Sequence, residues 1–350
     1  MIPYVEIKDK YNLKTLYLIE PQECWFELSY QDEGEFEIYC KASKDNLTAL
    51  QIGRYVSIPN KAFIWVITAI RYKFTANGTR MISATGYEAK WLLNKRCIQE
   101  PIELSGTLTK AVYSLVNANL GTTASAARQI ENFTVDTNDL LIDISGTQAT
   151  RGNLLEFVRP LLKNYNCGSQ VIYENGKLVY KIFTGKVKNN SVRFSQSLDN
   201  LLSSEYLINE TDKATNALVV NTVDEKDYTQ TIDEGATGID RAEILINSNL
   251  STDYKDANGV ERSTTPTSSL FIGWQIEEGK NALAEHTTIE DVNGEIDLIN
   301  SNYEFDKDYY LGDFVGIQDE YFNYKSTAKI LKYTFRQDAN GYKEDADYGR

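Results

Sequence analysis

The side chains that most often carry enzyme chemistry are sparse in this sequence. The chain of 350 residues has one histidine, His286, in the stretch NALAEHTTIED. A Ser-His-Asp triad, a histidine zinc site or a Cys-His pair would have to use it. HExxH, CxxC, P-loop and GxGxxG motifs do not occur. We therefore interpret His286 as a surface histidine near a helix end, and we predict no catalytic residues, no metal site and no cofactor.

Carboxylates are the remaining candidates for chemistry. A glycosidase needs two of them across its bond of attack, and Glu277, Glu278, Glu290 and Asp291 could form such a pair. The stretch DVNGEID, residues 291–297, weakly resembles a calcium loop, but its spacing does not fit an EF-hand. These groups lie in the most acidic part of the chain, where composition alone produces such pairs, so we expect no enzyme site there.

The charge of the chain is concentrated in one segment. The net charge is −14, and residues 201–300 contain 20 acidic and 6 basic side chains, which accounts for all of it. This balance argues against a protein that grips nucleic acid through its phosphates. Two interpretations stay open: a solvated surface with acidic loops, or an acidic face that repels an anionic neighbour.

The four cysteines, Cys24, Cys40, Cys97 and Cys167, are predicted to be free thiols of a protein folded in a reducing cytosol. The N-terminus has no basic stretch followed by an apolar run, so we expect no signal peptide. No run of 18 apolar residues occurs, so we expect no membrane insertion.

Beyond these groups, the chain reads mainly as strands, since Tyr, Phe, Thr and Val are frequent. The phrase IGRYVSI, residues 52–58, recurs as LGDFVGI, residues 311–317. Each copy is followed by a Tyr-x-Phe stretch, at residues 72–74 and 333–335, and then by an Asn-Gly pair, which predicts strand, loop, long strand and hairpin turn twice. This order favours an internal duplication over chance similarity of two hairpins. The structural motif residues are Gly53, Tyr55, Val56, Gly312, Phe314 and Val315.

The fold class predicted is mainly β with an α+β insert, comprising two related β-barrel tube domains plus peripheral domains. Residues 1–95 and 191–223 should form the first barrel. Residues 96–190 should form the insert, with two helices and a hairpin. Residues 224–300 read as a loop-rich acidic segment of the peripheral and second-barrel region, and residues 301–350 as core strands of the second barrel.

Several local signals accompany this division. YEAKWLLNKR should be a short helix leaving the first barrel, and Thr107 should cap a helix of the insert. The second insert helix should kink or end at Pro160. Asn175-Gly176 should turn a hairpin. NALAEH should be a short helix at best.

The order of these features resembles the tail hub family of siphophages, the N-terminal structural region of tail-associated lysins, and is also similar to contractile-tail baseplate hubs. The stretches that carry the resemblance are the Ile-Gly-x-x-Val unit, ISATGYEAKWLLNKRCI, the helix-helix-hairpin insert, and GIDRAE at residues 238–243. Further positions are Phe194, Asn200-Leu201, Tyr206, Asn216 and the LGD strand near the end of the chain.

The resemblance implies a homotrimer whose six barrels form a ring between a sixfold tail tube or distal tail ring and a threefold tip. It implies a virion tail protein assembled in the host cytoplasm, a structural protein and not an enzyme. DNA would pass through its channel without specific binding. The implied partners are the distal tail or tail tube protein, with the tape-measure and receptor-binding proteins as further ones. A tail-tip hydrolase of cell-wall glycan and a carbohydrate receptor-binding protein remain the alternatives.

Overall fold

The computed structural model describes residue 2 and residues 4–74, 78–297, 301–319 and 324–349. Within these ranges the protein is mainly β, as predicted, with four α-helices and five sheets. Asn77 of the first predicted Asn-Gly turn lies outside the described residues. No helix of the described part has both the length and the apolar character needed to cross a membrane.

The N-terminal region consists of short strands joined by tight connections. Alternate residues of its strands are buried, which is the pattern of a sheet with one covered face. The elements are β1 (Val5–Lys8), β2 (Thr15–Ile19), β3 (Glu23–Ser29), β4 (Glu35–Lys41), α1 (Lys44–Ala49), β5 (Tyr55–Ser57), β6 (Ile64–Phe74) and β7 (Arg80–Glu88).

The α+β insert follows β7. Its first element is a 3₁₀ helix, Ala89–Lys95, where a short helix was predicted. The further elements are β8 (Cys97–Ile98), β9 (Ile102–Thr107), α2 (Leu108–Leu120), β10 (Phe133–Val135), β11 (Asp143–Ala149), β12 (Gly152–Asn153), α3 (Leu154–Asn164), β13 (Gly168–Glu174) and β14 (Lys177–Phe183).

Most local predictions for the insert hold. Thr107 is the N-cap of α2, and β13 and β14 form the hairpin with Asn175 and Gly176 at positive φ in its turn. The helix α3 does not end at Pro160, since it continues to Asn164, and the alternative of a kink at Pro160 stays a prediction. The apolar residues of α3 lie on one buried side, and this packing holds the helix together across the proline.

The C-terminal half alternates between the large sheet and a peripheral part. Its elements are β15 (Arg193–Ser195), β16 (Leu201–Asn209), β17 (Asn216–Val223), β18 (Lys226–Asp233), β19 (Glu243–Asn247), β20 (Asp253–Lys255), β21 (Glu261–Ser263), α4 (Ser269–Glu285), β22 (Ile289–Ile296), β23 (Phe314–Asp319), β24 (Tyr324–Asp338) and β25 (Gly341–Gly349). Two further 3₁₀ turns span Gln196–Leu198 and Gly238–Asp240.

The acidic segment is more regular than predicted. Instead of loops and a short helix at NALAEH, it contains the 17-residue helix α4, which packs on the sheet of β17, β18 and β19. Ser268 caps the helix, because its Oγ accepts a hydrogen bond from the Phe271 N–H at 3.1 Å. Gly279 gives the helix its close approach to β18, since a Cβ there would overlap Ile232.

A 13-stranded sheet joins both ends of the chain. Its main path is β16-β22-β25-β24-β3-β4-β7-β6-β5-β1-β2, and β23 continues from β24 to β15. One hydrophobic core serves the whole sheet, with side chains such as Phe26, Val56, Val315 and Tyr348 in it. A second core lies within the insert and reaches the sheet at Tyr55 and Val66.

The strand pairing differs from the predicted grouping of residues 191–223 with residues 1–95. β15 pairs with β23 and β16 pairs with β22, while β17 belongs to the peripheral sheet. The reason is that the partner strands of β15 and β16, which are β23 and β22, come from the second half of the chain and not from residues 1–95. The division of the large sheet into two barrels stays a prediction.

Candidate assembly surface

The large sheet contains the same arrangement of six strands twice. We call β1 and β3–β7 the first module, and β15, β16 and β22–β25 the second module. In chain order the strands correspond one to one, β1 to β15, β3 to β16, and β4–β7 to β22–β25. The pairing runs β3-β4-β7-β6-β5-β1 in the first module and β16-β22-β25-β24-β23-β15 in the second. One pair differs, since β1 is antiparallel to β5 while β15 is parallel to β23.

The register of the two modules corresponds as well. Tyr55 is opposite Val66 across β5 and β6, and Phe314 is opposite Lys329 across β23 and β24. Each long strand then has a register shift at the same place, directly after Ile67 in β6 and after Ile330 in β24. The repeated phrase therefore lies on strands with equivalent partners.

The two glycines of the phrase make equivalent corners. Gly53 has φ +85° and Gly312 has φ +79°, a region that other residues adopt only with strain. The Gly53 N–H donates to the Ile67 carbonyl at 2.8 Å, and the Gly312 N–H donates to the Ile330 carbonyl at 2.7 Å. Each corner thus connects the start of the short strand to the register shift of the long strand, which we call its bulge.

The valines of the phrase face one core, whereas the aromatics do not share surroundings. Val56 and Val315 are fully buried in the core of the large sheet. Tyr55 is buried in the second core, against the insert. Phe314 is half-buried, and the Lys329 ammonium lies 5.0 Å from the centre of its ring.

A buried ion pair fixes the insert to the first module. Glu88 and Lys90 are 2% and 1% exposed, and Lys90 Nζ lies 3.5 Å from Glu88 Oε2. Lys90 also donates to the carbonyls of Ser29 and Ser169, at 2.7 and 3.1 Å. Glu88 Oε2 accepts from the N–H groups of Ser29 and Gly34, at 3.0 and 2.9 Å. Because β3, β7 and β13 meet at this pair, it determines where the insert lies on the sheet.

The modules meet inside the chain at a seam, which we define as residues 332–337 of β24 paired antiparallel with residues 24–29 of β3. At the seam Phe335 is opposite Phe26. Lys332 Nζ lies 3.2 Å from Glu27 Oε1 on the outer face. Burial raises the pKa of Glu27. Burial opposes the charge of Lys332 as well, but the carboxylates of Glu27, Asp347 and Asp32 together outweigh this effect and raise the pKa of Lys332.

Two strand edges equivalent to the seam have no second strand paired to them among the strands that the structure describes. We call residues 69–74 of β6 the first-module edge and residues 204–209 of β16 the second-module edge. Among the strands that the structure describes, the first-module edge pairs only with β7, and the second-module edge pairs only with β22. Apolar side chains are exposed on both, and Tyr72 and Phe74 are 62% and 70% exposed. Such edges are ready templates for a further strand.

The residues considered for catalysis make hydrogen bonds that connect elements of the fold. His286 ends α4, with its Nδ1 3.0 Å from the Asp212 carbonyl oxygen. Glu277 Oε1 accepts from the Asn164 amide at 3.2 Å, and Glu290 Oε1 accepts from the Tyr206 hydroxyl at 2.8 Å. Within the described ranges, no group of three or more His, Cys, Asp or Glu side chains could hold a metal ion. Residues 291–296 belong to the strand β22 rather than to a calcium loop.

A cleft of about 380 Å³ lies between α3 and α4 and contains Glu278, Glu285 and His286. Burial raises the pKa of Glu278. Glu285 is held by Arg159 and Lys163, with N–O distances of 3.5 and 3.6 Å. One carboxylate of the cleft, Glu285, is therefore held in ion pairs with α3.

The four cysteines are free, as predicted. Cys24, Cys40 and Cys167 are buried, and burial raises the pKa of each thiol to about 12. A thiol of this kind is not a nucleophile at neutral pH. Cys97 is exposed.

Comparison with known proteins gives one family and a set of similar folds. The family model described as Siphovirus ReqiPepy6 Gp37-like protein matches residues 21–349. No curated protein sequence matches the chain significantly. The 43 kDa tail protein of prophage MuSo2 from Shewanella oneidensis is 13% identical with a TM-score of 0.61, over 99% of this chain and 98% of that chain.

Two more solved structures have the same fold over nearly their full length. The tail protein from Neisseria meningitidis MC58 is 10% identical with a TM-score of 0.57, over 99% of this chain and 96% of that chain. The prophage tail protein gp18 from Listeria monocytogenes EGD-e is 12% identical with a TM-score of 0.50, over 99% of this chain and 94% of that chain. At these identities the likeness establishes the fold.

Proposed function

Because this chain belongs to the siphovirus ReqiPepy6 Gp37-like family, we propose that it is the hub at the tip of a phage tail. Three copies would form a ring of six modules around one axis. Such a ring presents near-sixfold symmetry to a tail tube or distal tail ring and threefold symmetry to the tip. The role is structural, and the protein does no chemistry of its own.

The observation that carries this proposal is the duplicated module. A threefold assembly can match a sixfold ring only if each chain contributes two equivalent units. The two modules agree in strand order, pairing and bulge position, and one continuous sheet joins them. Duplication of this kind has no evident use in a monomeric hydrolase, whereas a ring needs it.

The ring would form part of the channel through which DNA leaves the virion. We expect DNA to pass without specific binding, since the net charge of the chain is −14. Only two strands of the large sheet, β16 and β22, come from the acidic segment, and the rest of that segment forms the peripheral strands β17–β21 and α4. The acidic excess therefore lies mainly in the one peripheral part of each chain, where it would keep DNA and neighbouring subunits from binding unspecifically.

The partners of such a hub are the distal tail or tail tube protein on one side and the proteins of the tip on the other. The tape-measure protein and receptor-binding proteins are the further partners that we propose. The protein would be assembled in the host cytoplasm and would end in the virion tail.

Light scattering on the purified chain, alone and mixed with the distal tail protein, tests the assembly. We expect the mass of a trimer in at least one of the two states. A monomer or a tetramer in both would contradict the hub. Labelled antibodies against the chain should mark the tip of whole virions in electron micrographs, and a label along the tube would contradict the location.

The cell-wall hydrolase is the second candidate, because the cleft beside α4 combines Glu278 with His286. A zymogram with cell walls of the host separates the two proposals. The hub predicts no clearing by the parent chain. Clearing that disappears in Glu278→Gln would establish the hydrolase instead.

A further inference from the structure

The seam inside the chain has an unfilled counterpart on its surface. The seam joins the long strand of the second module, β24, to β3 of the first module. The equivalent strands are β6 in the first module and β16 in the second, and in the part of the chain described these two do not pair with each other. Both present an edge that the seam covers in the other module. A second copy of the chain can supply each missing partner.

The register of such a pair can be read from one row of opposite residues in each module. In the first module the row is Ile67, Gly86, Phe36 and Phe26, across β6, β7, β4 and β3. In the second module the row across β24, β25, β22 and β16 is Ile330, Tyr348, Val292 and Tyr206. Both rows begin at the residue before the bulge, and therefore Phe26 corresponds to Tyr206.

The seam then fixes which residues of two copies would be opposite. Phe335 is the fifth residue after Ile330 and is opposite Phe26. The fifth residue after Ile67 is Tyr72, so Tyr72 should be opposite Tyr206 of a second copy. The same shift places Lys73 opposite Glu205.

The side chains brought together in this register are complementary. Lys73 and Glu205 have opposite charges, and both are exposed in the single chain. Ile70 comes opposite Ile208, which is 58% exposed. Opposite charges and paired apolar side chains on directly opposite residues stabilise neighbouring strands. The charged residues of the first-module edge, Arg71 and Lys73, are both basic, and the charged residue of the second-module edge, Glu205, is acidic, so the two edges attract each other, and this register places Lys73 directly opposite Glu205.

We propose that residues 69–74 of β6 pair antiparallel with residues 204–209 of β16 in a neighbouring copy. The inference rests on the proposed function, because it names the contact by which the trimeric ring closes. Each copy would give one edge and receive the other, so the interface is heterologous and closes when the rotations of its junctions complete a turn. With three internal seams and three junctions of the same kind, the sheet would continue around the ring.

Cross-linking tests the register directly. Lys73→Cys and Glu205→Cys are introduced together into a Cys97→Ser chain, which removes the exposed native thiol. Mild oxidation should give covalent trimers in preference to open ladders, because a ring has no free end. The matched control combines Lys73→Cys with Leu202→Cys, three residues from the predicted partner and about 10 Å along the strand, and it should remain uncross-linked.

Charge exchange tests the same pair without cysteines. Lys73→Glu and Glu205→Lys, each alone, should weaken the trimer about tenfold or more in its midpoint concentration. The two changes together restore opposite charges at every junction and should restore the trimer. Lys226→Glu, on the exposed strand β18, has the same change in charge and should leave the assembly unaffected.

The outcomes separate this inference from the hub itself. A parent trimer whose matched cysteine pair does not cross-link, or whose double charge exchange does not recover, overturns the strand pairing and leaves the hub in place. A parent that is monomeric alone and with the distal tail protein, and whose matched pair does not cross-link, overturns both. Covalent trimers in the matched pair only, together with recovery in the double exchange, establish the pairing.

Discussion

The first and second modules share their backbone plan at the glycine corners, but the surroundings of these corners differ. A Cβ added at Gly53 would have its nearest neighbour, Lys10, at 3.7 Å, whereas one added at Gly312 would overlap the ring of Tyr30. Tyr55 is buried against the insert, whereas Phe314 is only half-buried. The duplicated part is therefore the strand pairing. The modules differ where each one contacts a part of the chain outside the module, such as the insert at Tyr55 or the Tyr30 ring at Gly312.

The largest difference between the modules is the insert, which packs on the first module, and a change at Lys90 tests how strongly the buried ion pair holds it there. Lys90→Met should lower the free energy of unfolding by about 3–5 kcal/mol, because it leaves the Glu88 carboxylate buried without its cation. Urea unfolding measures the loss. The control is Lys110→Met, which breaks the ion pair with Asp139 from an exposed lysine and should cost less than about 1 kcal/mol. Equal costs for the two lysines would show that the buried pair does not hold the insert.

The aromatic residues of the phrase give the next largest contrast. Tyr55→Ala should cost about 3–5 kcal/mol, since it empties a fully enclosed site between the sheet and the insert. Phe314→Ala should cost less, about 1–2 kcal/mol, because the ring is only half-buried and lies beside Lys329. Melting temperatures of both variants decide the point. A larger loss at Phe314 would reverse the assignment of the two surroundings.

The glycine corners make a matched pair of smaller effects. Gly312→Val should cost about 2–4 kcal/mol, because a β-branched side chain at positive φ adds strain and also displaces the Tyr30 ring. Gly53→Val should cost about 1–2 kcal/mol, since strain acts there without a collision. Chemical unfolding compares the two. If Gly312→Val unfolds like the parent, the corner of the second module carries neither strain nor a close contact.

The resemblance to phage tail proteins, drawn from the order of weak motifs, is confirmed by the family match. Much of the local structure was also predictable, because Asn-Gly turns and helical spacing are short-range signals. Asn175-Gly176 shows this, since it acts within the hairpin of β13 and β14, and Thr107 holds the predicted N-cap position of α2 although its side chain makes no capping hydrogen bond. The mainly β fold class follows from composition in the same way.

The parts that the sequence did not predict depend on contacts between distant residues. The loop-rich prediction for residues 224–300 was wrong over α4, which contains Gly273 and Gly279, and Gly279 is needed where the helix meets Ile232. Glu88 and Lys90 gave no signal, because their partners Ser29 and Ser169 are far away in the chain. The NALAEH stretch indicated only the end of α4, and the cap at Ser268 is the signal that could have identified its start.

The valines of the phrase provide the smallest and most direct test of the duplication. Val56 and Val315 are both fully buried in the same core, so removing two methyl groups from either should cost about 2 kcal/mol. Their cross-strand partners differ, since Val56 is opposite Trp65 and Val315 is opposite Ala328. Val56→Ala and Val315→Ala should therefore differ by no more than about 1 kcal/mol, the range of one cross-strand pair. Urea unfolding of both variants gives this difference. A full loss at one valine and none at the other would mean that the modules share a strand order but not a common place in the core, and the duplication would then extend to pairing alone.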